Sequence, residues 1–72
     1  MQRIRDTKDL GKLIRESRKR QGLTQEQLAA TCGVGMRYLR ELEHGKESCY
    51  IGKALLLVQM LGISILMNEE SI

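Results

Sequence analysis

Nine residues between two glycines, Met36-Arg37-Tyr38-Leu39-Arg40-Glu41-Leu42-Glu43-His44, hold the side chains best equipped to recognise another molecule. Wound at about 100° per residue, Leu39 and Leu42 define one direction, and Met36, Arg37, Arg40, Glu41 and His44 gather on the opposite face. A guanidinium is a planar fork that pairs with phosphate oxygens or with guanine O6 and N7. Glu41 either accepts from cytosine N4 or bridges to Arg37 four residues back. Two cations, an acid and a long apolar side chain on one short helix can reach into a groove. Covalent and metal chemistry have no such support. His44 is the single histidine, and Cys32 and Cys49 have neither C-x-x-C nor any other zinc spacing. No Gly-rich phosphate loop of strand–helix type occurs, and a chain this short encloses no ligand pocket. No enzyme, metal or cofactor is expected.

The elements that must hold this face are punctuated by glycine: Gly22, Gly33, Gly35, Gly45 and Gly62. Asp6, with Asp9 three residues on, opens a helix over about 7–21, whose inner face is Leu10, Leu13, Ile14 and Ser17. Thr24 with Gln27 forms a capping box for a second, short helix that turns Leu28, Ala29 and Cys32 inward and stops at Gly33. The tight turn Cys32-Gly33-Val34-Gly35 leads to the third helix over 36–44, and Leu23, Leu28, Ala29, Val34, Leu39 and Leu42 lock the pair. A fourth helix over about 50–61 carries a core stripe of Ile51, Ala54, Leu55, Val58 and Leu61. Leu56, Leu57 and Met60 lie on its other side, so it is buried twice over. After Gly62, the alternation Ile63, Ile65, Met67 predicts a short strand.

Seventy-two residues make one domain, expected to need a partner subunit because so small a core contributes little net stability. The two cysteines leave at most one intramolecular disulfide, and Cys32 reads as a small core residue. No stretch is long and apolar enough for a membrane span or a signal peptide, so a reduced, cytoplasmic protein is expected. The net charge is only +3, but eight of the twelve Lys and Arg fall in residues 1–20 against three of the nine acids. A basic end suits a polyanion, or is simply a solvated helix face.

The segment G-L-T-Q-E-Q-L-A-A-T-C-G-V-G-M-R-Y-L-R-E-L-E-H-G, residues 22–45, resembles the XRE/Cro-type helix-turn-helix family of phage repressors. The likeness covers about 10–65. Within the family the chain is most similar to short HipB-like regulators, through the K-D-L-G-K-L-I-R opening and the I-G-K-A-L-L-L-V-Q-M-L-G-I helix. The resemblance implies an all-α, lambda-repressor-like bundle of four to five short helices with a short C-terminal strand. It divides the single domain, 1–72, into a helical core over 6–62 and a dimerisation strand over 63–67.

The resemblance also implies roles. Gln25 is the phosphate anchor at the start of the second helix, its backbone N–H facing the anion. Gly35 takes the N-cap of the recognition helix, where the family more often has Ser or Thr. Met36, Arg37, Arg40 and Glu41 occupy base-facing positions. Met36 packs on a thymine methyl, and Arg40 reads a base or holds a phosphate. Tyr38 packs beside the core with its hydroxyl free for a phosphate, and Lys46 contacts the backbone. Arg18 pairs with Glu43. Apart from the resemblance, the second apolar side of the fourth helix and the alternating tail predict a dimer in which Leu56 and Met60 meet across a two-fold axis and Ile63, Ile65 and Met67 pair with their symmetry mates. The expected partners are a palindromic double-stranded operator read in the major groove, a second copy of the chain, and a HipA-type kinase toxin. The acidic end (Glu69, Glu70) or the outer face of the first helix offers that toxin a surface. No effector-sensing domain is expected, which makes a bound protein the simplest source of a signal. Two alternatives stay open: a stand-alone repressor without a toxin, and a protein-interaction module.

Overall fold

In the computed structural model, which describes residues 2–48 and 50–69, the turns that end the helices share one device. The four helices are α1 (Thr7–Arg20), α2 (Gln25–Cys32), α3 (Met36–Glu43) and α4 (Ile51–Met60). After each comes a glycine with positive φ: Gly22, Gly33, Gly45 and Gly62. The residue beyond it donates back to a carbonyl five positions earlier, Leu23 to Arg18, Val34 to Ala29, Lys46 to Glu41 and Ile63 to Val58. These are Schellman-type ends, which satisfy carbonyls the helix leaves over. Each time the returning residue is Leu23, Val34 or Ile63, it packs against the core, so the stop also sets the direction of the next segment. The starts are as expected for α1 and α2. Asp6 caps α1 by accepting from the Asp9 amide at 2.9 Å, and the Thr24–Gln27 box closes reciprocally at 3.0 and 2.9 Å. Cys49 and Glu70, singled out above, lie outside the described residues.

The core gathers Ile14 from α1, Leu28, Ala29 and Cys32 from α2, Leu39 and Leu42 from α3, Ala54, Leu57 and Val58 from α4, and Leu61, which caps the end of α4. Burial raises the pKa of the Cys32 thiol, which keeps it protonated and unreactive, as suits a core residue. Two hydrogen bonds tie the ends of α1 to the rest. Thr7 Oγ1 donates to the Gly45 carbonyl at 2.9 Å, and Gln21 Nε2 donates to the Leu61 carbonyl at 2.8 Å.

Two expectations about the C-terminal third need correction. The inward stripe of α4 is Ala54, Leu57, Val58 and Leu61, with Leu57 fully buried, while Ile51 and Leu55 are 62% and 45% exposed. An all-round apolar helix has no periodicity to choose its inner face, and contact with α2 chooses it instead. The predicted strand is also not there: among the described residues there is no strand, and 63–69 runs without regular structure. Alternating side chains suit a strand, but a strand exists only with a ladder of hydrogen bonds to a neighbour, and this fold offers none. Ile63 is half-buried against the core, whereas Ile65, Leu66 and Met67 are exposed.

The sequence passes over Gly11, which sits in mid-helix and should cost α1 stability. A Cβ there would overlap the Leu42 carbonyl oxygen and crowd the Glu43 backbone. Gly11 is the point at which α1 touches the backbone of α3. On an exposed helix, Gly→Ala gains about 1 kcal/mol. Here Gly11→Ala is expected to destabilise by about 1–3 kcal/mol through overpacking, read as a lower urea midpoint.

Candidate nucleic-acid interface

Whatever α3 presents to a ligand is held from behind by one ion pair. Arg18 Nε donates to Glu43 Oε2 at 2.7 Å and Nη2 to Oε1 at 3.0 Å, a bidentate pair whose side chains are 9% and 1% exposed. Arg18 Nη1 reaches the Leu23 carbonyl at 2.8 Å, and Gln25 Nε2 donates to Glu43 Oε1 at 3.1 Å. One guanidinium and one carboxylate thus join α1, the α1–α2 turn, the start of α2 and the end of α3. The hydrogen bonding of Arg18 to Glu43, with the carboxylate's charge, raises the Arg18 pKa against the opposing effect of burial, so the guanidinium stays charged. No buried side-chain nitrogen or oxygen among the described residues lacks a partner. This geometry matches the Arg18–Glu43 pairing implied by the family resemblance. The Gln25 side chain, expected to serve an anion, is committed to Glu43. What α2 offers an anion there is its N-terminal backbone.

The outer face of α3 is built around Arg37. It lies about 170° from the inward direction of Leu39 and Leu42, and its side chain is 89% exposed. Arg37 Nε donates to Glu41 Oε1 at 2.9 Å, and Lys46 Nζ donates to Glu41 Oε2 at 2.7 Å. The bonds from Lys46 and then Arg37 hold the Glu41 carboxyl below the usual carboxylate range. The clamp is therefore intact at neutral pH and opens only as acid protonates Glu41 below that range. Arg40 is exposed beside it, and its carbonyl lies 2.7 Å from His44 Nδ1. Gly35 is the N-cap of α3 and supplies no side-chain bond, so the first-turn amides of α3 face outward uncapped.

Two side chains differ from expectation. Met36 is half-buried against the core, because it sits about 90° from the inward direction, at the seam of the helix and not on its outer face. Tyr38 packs beside the core as expected, but its hydroxyl is not free: it donates to the Tyr50 carbonyl at 2.9 Å. That bond fixes the loop before α4. It also brings in a residue that the sequence analysis passed over, Lys53. Its ammonium lies 5.4 Å from the Tyr38 ring centroid and 5.0 Å from that of Tyr50. Arg37, Tyr38, Glu41, Lys46, Ser48, Tyr50 and Lys53 line one shallow groove along the edge of α3. A cation in the first turn of the following helix is the only sequence signal that pointed to Lys53.

Two short helices locked at a turn, with a cationic outer face on the second, define a helix-turn-helix module. The comparisons agree: residues 14–66 match the Helix-turn-helix family HTH_3, and the chain belongs to that family, of the XRE type. It is 48% identical over 63 residues to the uncharacterized HTH-type transcriptional regulator y4mF of Sinorhizobium fredii, a match spanning 88% of this chain and 83% of the relative. Among solved structures, a HipB–O4 20mer complex matches with a TM-score of 0.86 and 20% identity, covering 99% of this chain and 100% of that one. A HipA–HipB–O2–O3 complex matches with the same score, identity and coverage. At that identity the likeness is one of fold.

Removing one partner of the buried pair strands the other. Arg18→Ala is expected to cost about 3–5 kcal/mol. The double replacement Arg18→Met, Glu43→Leu should recover most of that loss, because no buried charge is then left alone. Urea unfolding of the two variants beside the parent chain measures both.

Proposed function

We propose that this chain is a sequence-specific transcriptional repressor that binds double-stranded DNA as a homodimer. The observation that carries it is Arg37, exposed on a short helix whose back is locked by a buried ion pair. Such a residue reaches a base edge without first having to be ordered. Its Nε is committed to Glu41, and the two terminal amino groups remain to pair with guanine O6 and N7. Arg40 and Lys46 flank it, and Lys53 adds a cation at the groove edge for phosphate. Gln25 anchors a phosphate through the backbone at the start of α2. The regulator name of the relative in Sinorhizobium fredii supports the same reading.

The dimer rests on the apolar surface left uncovered. Leu55, Leu56 and Met60 of α4 are exposed, and Leu55 shares a groove with Ile63 and Ile65 of the tail. On so small a domain an apolar patch of this kind marks an association surface. We place Leu56 and Met60 at its two-fold axis, with Ile63, Ile65 and Met67 joining from the tail. Docked on B-form DNA, the two α3 helices would enter the major groove about 34 Å apart.

We further propose that the repressor is the autoregulating antitoxin of a HipBA-like pair, with a HipA-type kinase as its protein partner. The similarity of this fold to HipB within a HipA–HipB–O2–O3 complex supports that choice over a stand-alone repressor.

Selection of bound sites from random duplex DNA tests the repressor reading. The parent chain should select a palindrome, and Arg37→Ala should relax one base position per half-site at a cost of about 1–3 kcal/mol. Gln25→Ala keeps the backbone amide and loses only the bond to Glu43, so it should lower the urea midpoint and leave the base preference unchanged. Leu56→Glu, Met60→Glu should sediment as a monomer and select at most single half-sites. A parent chain that selects nothing would overturn the reading. The antitoxin part is checked separately: a kinase encoded beside this gene should co-purify with the dimer, and loss of this chain should release its toxicity.

A further inference from the structure

Of the cations along the groove beside α3, Arg37 and Lys46 are held by one carboxylate, that of Glu41, and Lys53 lies over two tyrosine rings. We propose that Glu41 is a positioning residue that sets DNA selectivity, by buttressing Arg37 for an end-on approach to guanine while withholding Arg37 and Lys46 from phosphate. The inference rests on the operator-binding reading above and adds to it a role for the one acid on the recognition face.

The argument begins with which atoms are engaged. Glu41 uses one oxygen for each cation, Oε1 for Arg37 Nε at 2.9 Å and Oε2 for Lys46 Nζ at 2.7 Å. Arg37 gives up Nε alone, so its guanidinium is tethered at one corner and its Nη1 and Nη2 edge is left for a ligand on a side chain that is 89% exposed. That edge is the one that pairs bidentately with guanine O6 and N7. Reading a guanine therefore breaks no bond in the clamp. Binding a phosphate is different. Swinging either cation onto the DNA backbone forfeits its bond to Glu41 and brings a carboxylate close to the phosphate charge. The clamp is neutral to the specific complex and opposed to the non-specific one.

Burial and charge support this placement. Glu41 is one-third exposed, close enough to the surface to act on a docked duplex. The bonds from Lys46 and Arg37 lower its carboxyl pKa, so the charge is present at neutral pH. Non-specific affinity comes almost wholly from cations neutralising phosphates, so cancelling two of them at the groove acts directly on that term. The other cations here, Arg40 and Lys53, have no acid partner among the described residues and supply the phosphate affinity that remains.

The test measures binding of the full chain to its selected operator duplex and to a random-sequence duplex across a salt series, for the parent, Glu41→Gln and Glu41→Asp. With Gln, affinity for the random duplex should rise by about threefold to tenfold, and its salt dependence should steepen by about one in log–log slope. The operator should gain less, so the operator-to-random ratio falls and the guanine preference set by Arg37 relaxes. Asp keeps the charge and loses the reach. It should hold the salt slope near the parent's while the base preference still relaxes. A role in stability alone would move neither slope nor base preference, and urea midpoints for the three chains record that contribution. If the parent chain discriminates and Glu41→Gln keeps the same slope and ratio, the Glu41 proposal fails while the repressor reading stands. If the parent chain shows no discrimination at all, both fall together.

Discussion

The buried contact between Arg18 and Glu43 is the constraint on which the rest of this structure depends. A carboxylate that is 1% exposed is tolerable only with its charge matched and its lone pairs filled. Arg18 fills both oxygens, and Gln25 adds a third donor. These donors come from α1 and α2, and the acceptor from the last residue of α3. The angle at which α3 leaves the bundle therefore cannot vary without breaking a buried bond. Gly11 contributes from the other side by letting the α1 backbone lie directly on the Leu42 carbonyl. Polar bonding and close packing hold the same helix in the same place.

This arrangement separates two requirements of a reading helix. The inner face must be rigid, and Leu39, Leu42 and Glu43 make it so. The outer face must carry long, solvated cations, which lose entropy on binding unless something orders them in advance. Glu41 does that ordering for Arg37 and Lys46, and the two tyrosine rings do it for Lys53. The Tyr38 hydroxyl bond to the Tyr50 carbonyl ties the reading helix to the start of α4. Alignment of the cationic face is thus coupled to α4, whose exposed apolar side is the surface on which a second copy is proposed to sit.

The sequence by itself determined the local features and the family. Helix limits followed from side-chain capping at Asp6 and Thr24 and from left-handed turns at glycine, because these devices act within five residues and need no tertiary partner. The inner faces of α2 and α3 followed from periodicity, as did Leu10, Ile14 and Ser17 of α1 but not Leu13, which stays outside the core, and the Arg18–Glu43 pair followed from the family pattern. Tertiary structure alone decided the rest. It chose the inner face of α4, where leucine on every side left periodicity silent. It left 63–69 without a strand, because alternation supplies side chains and not the hydrogen-bonding neighbour a strand requires. It gave Gly11 its purpose, drew Met36 to the seam, bound the Tyr38 hydroxyl and brought Lys53 to the groove. Each of these depends on a contact between residues distant in sequence, and such contacts exist only once the helices have packed.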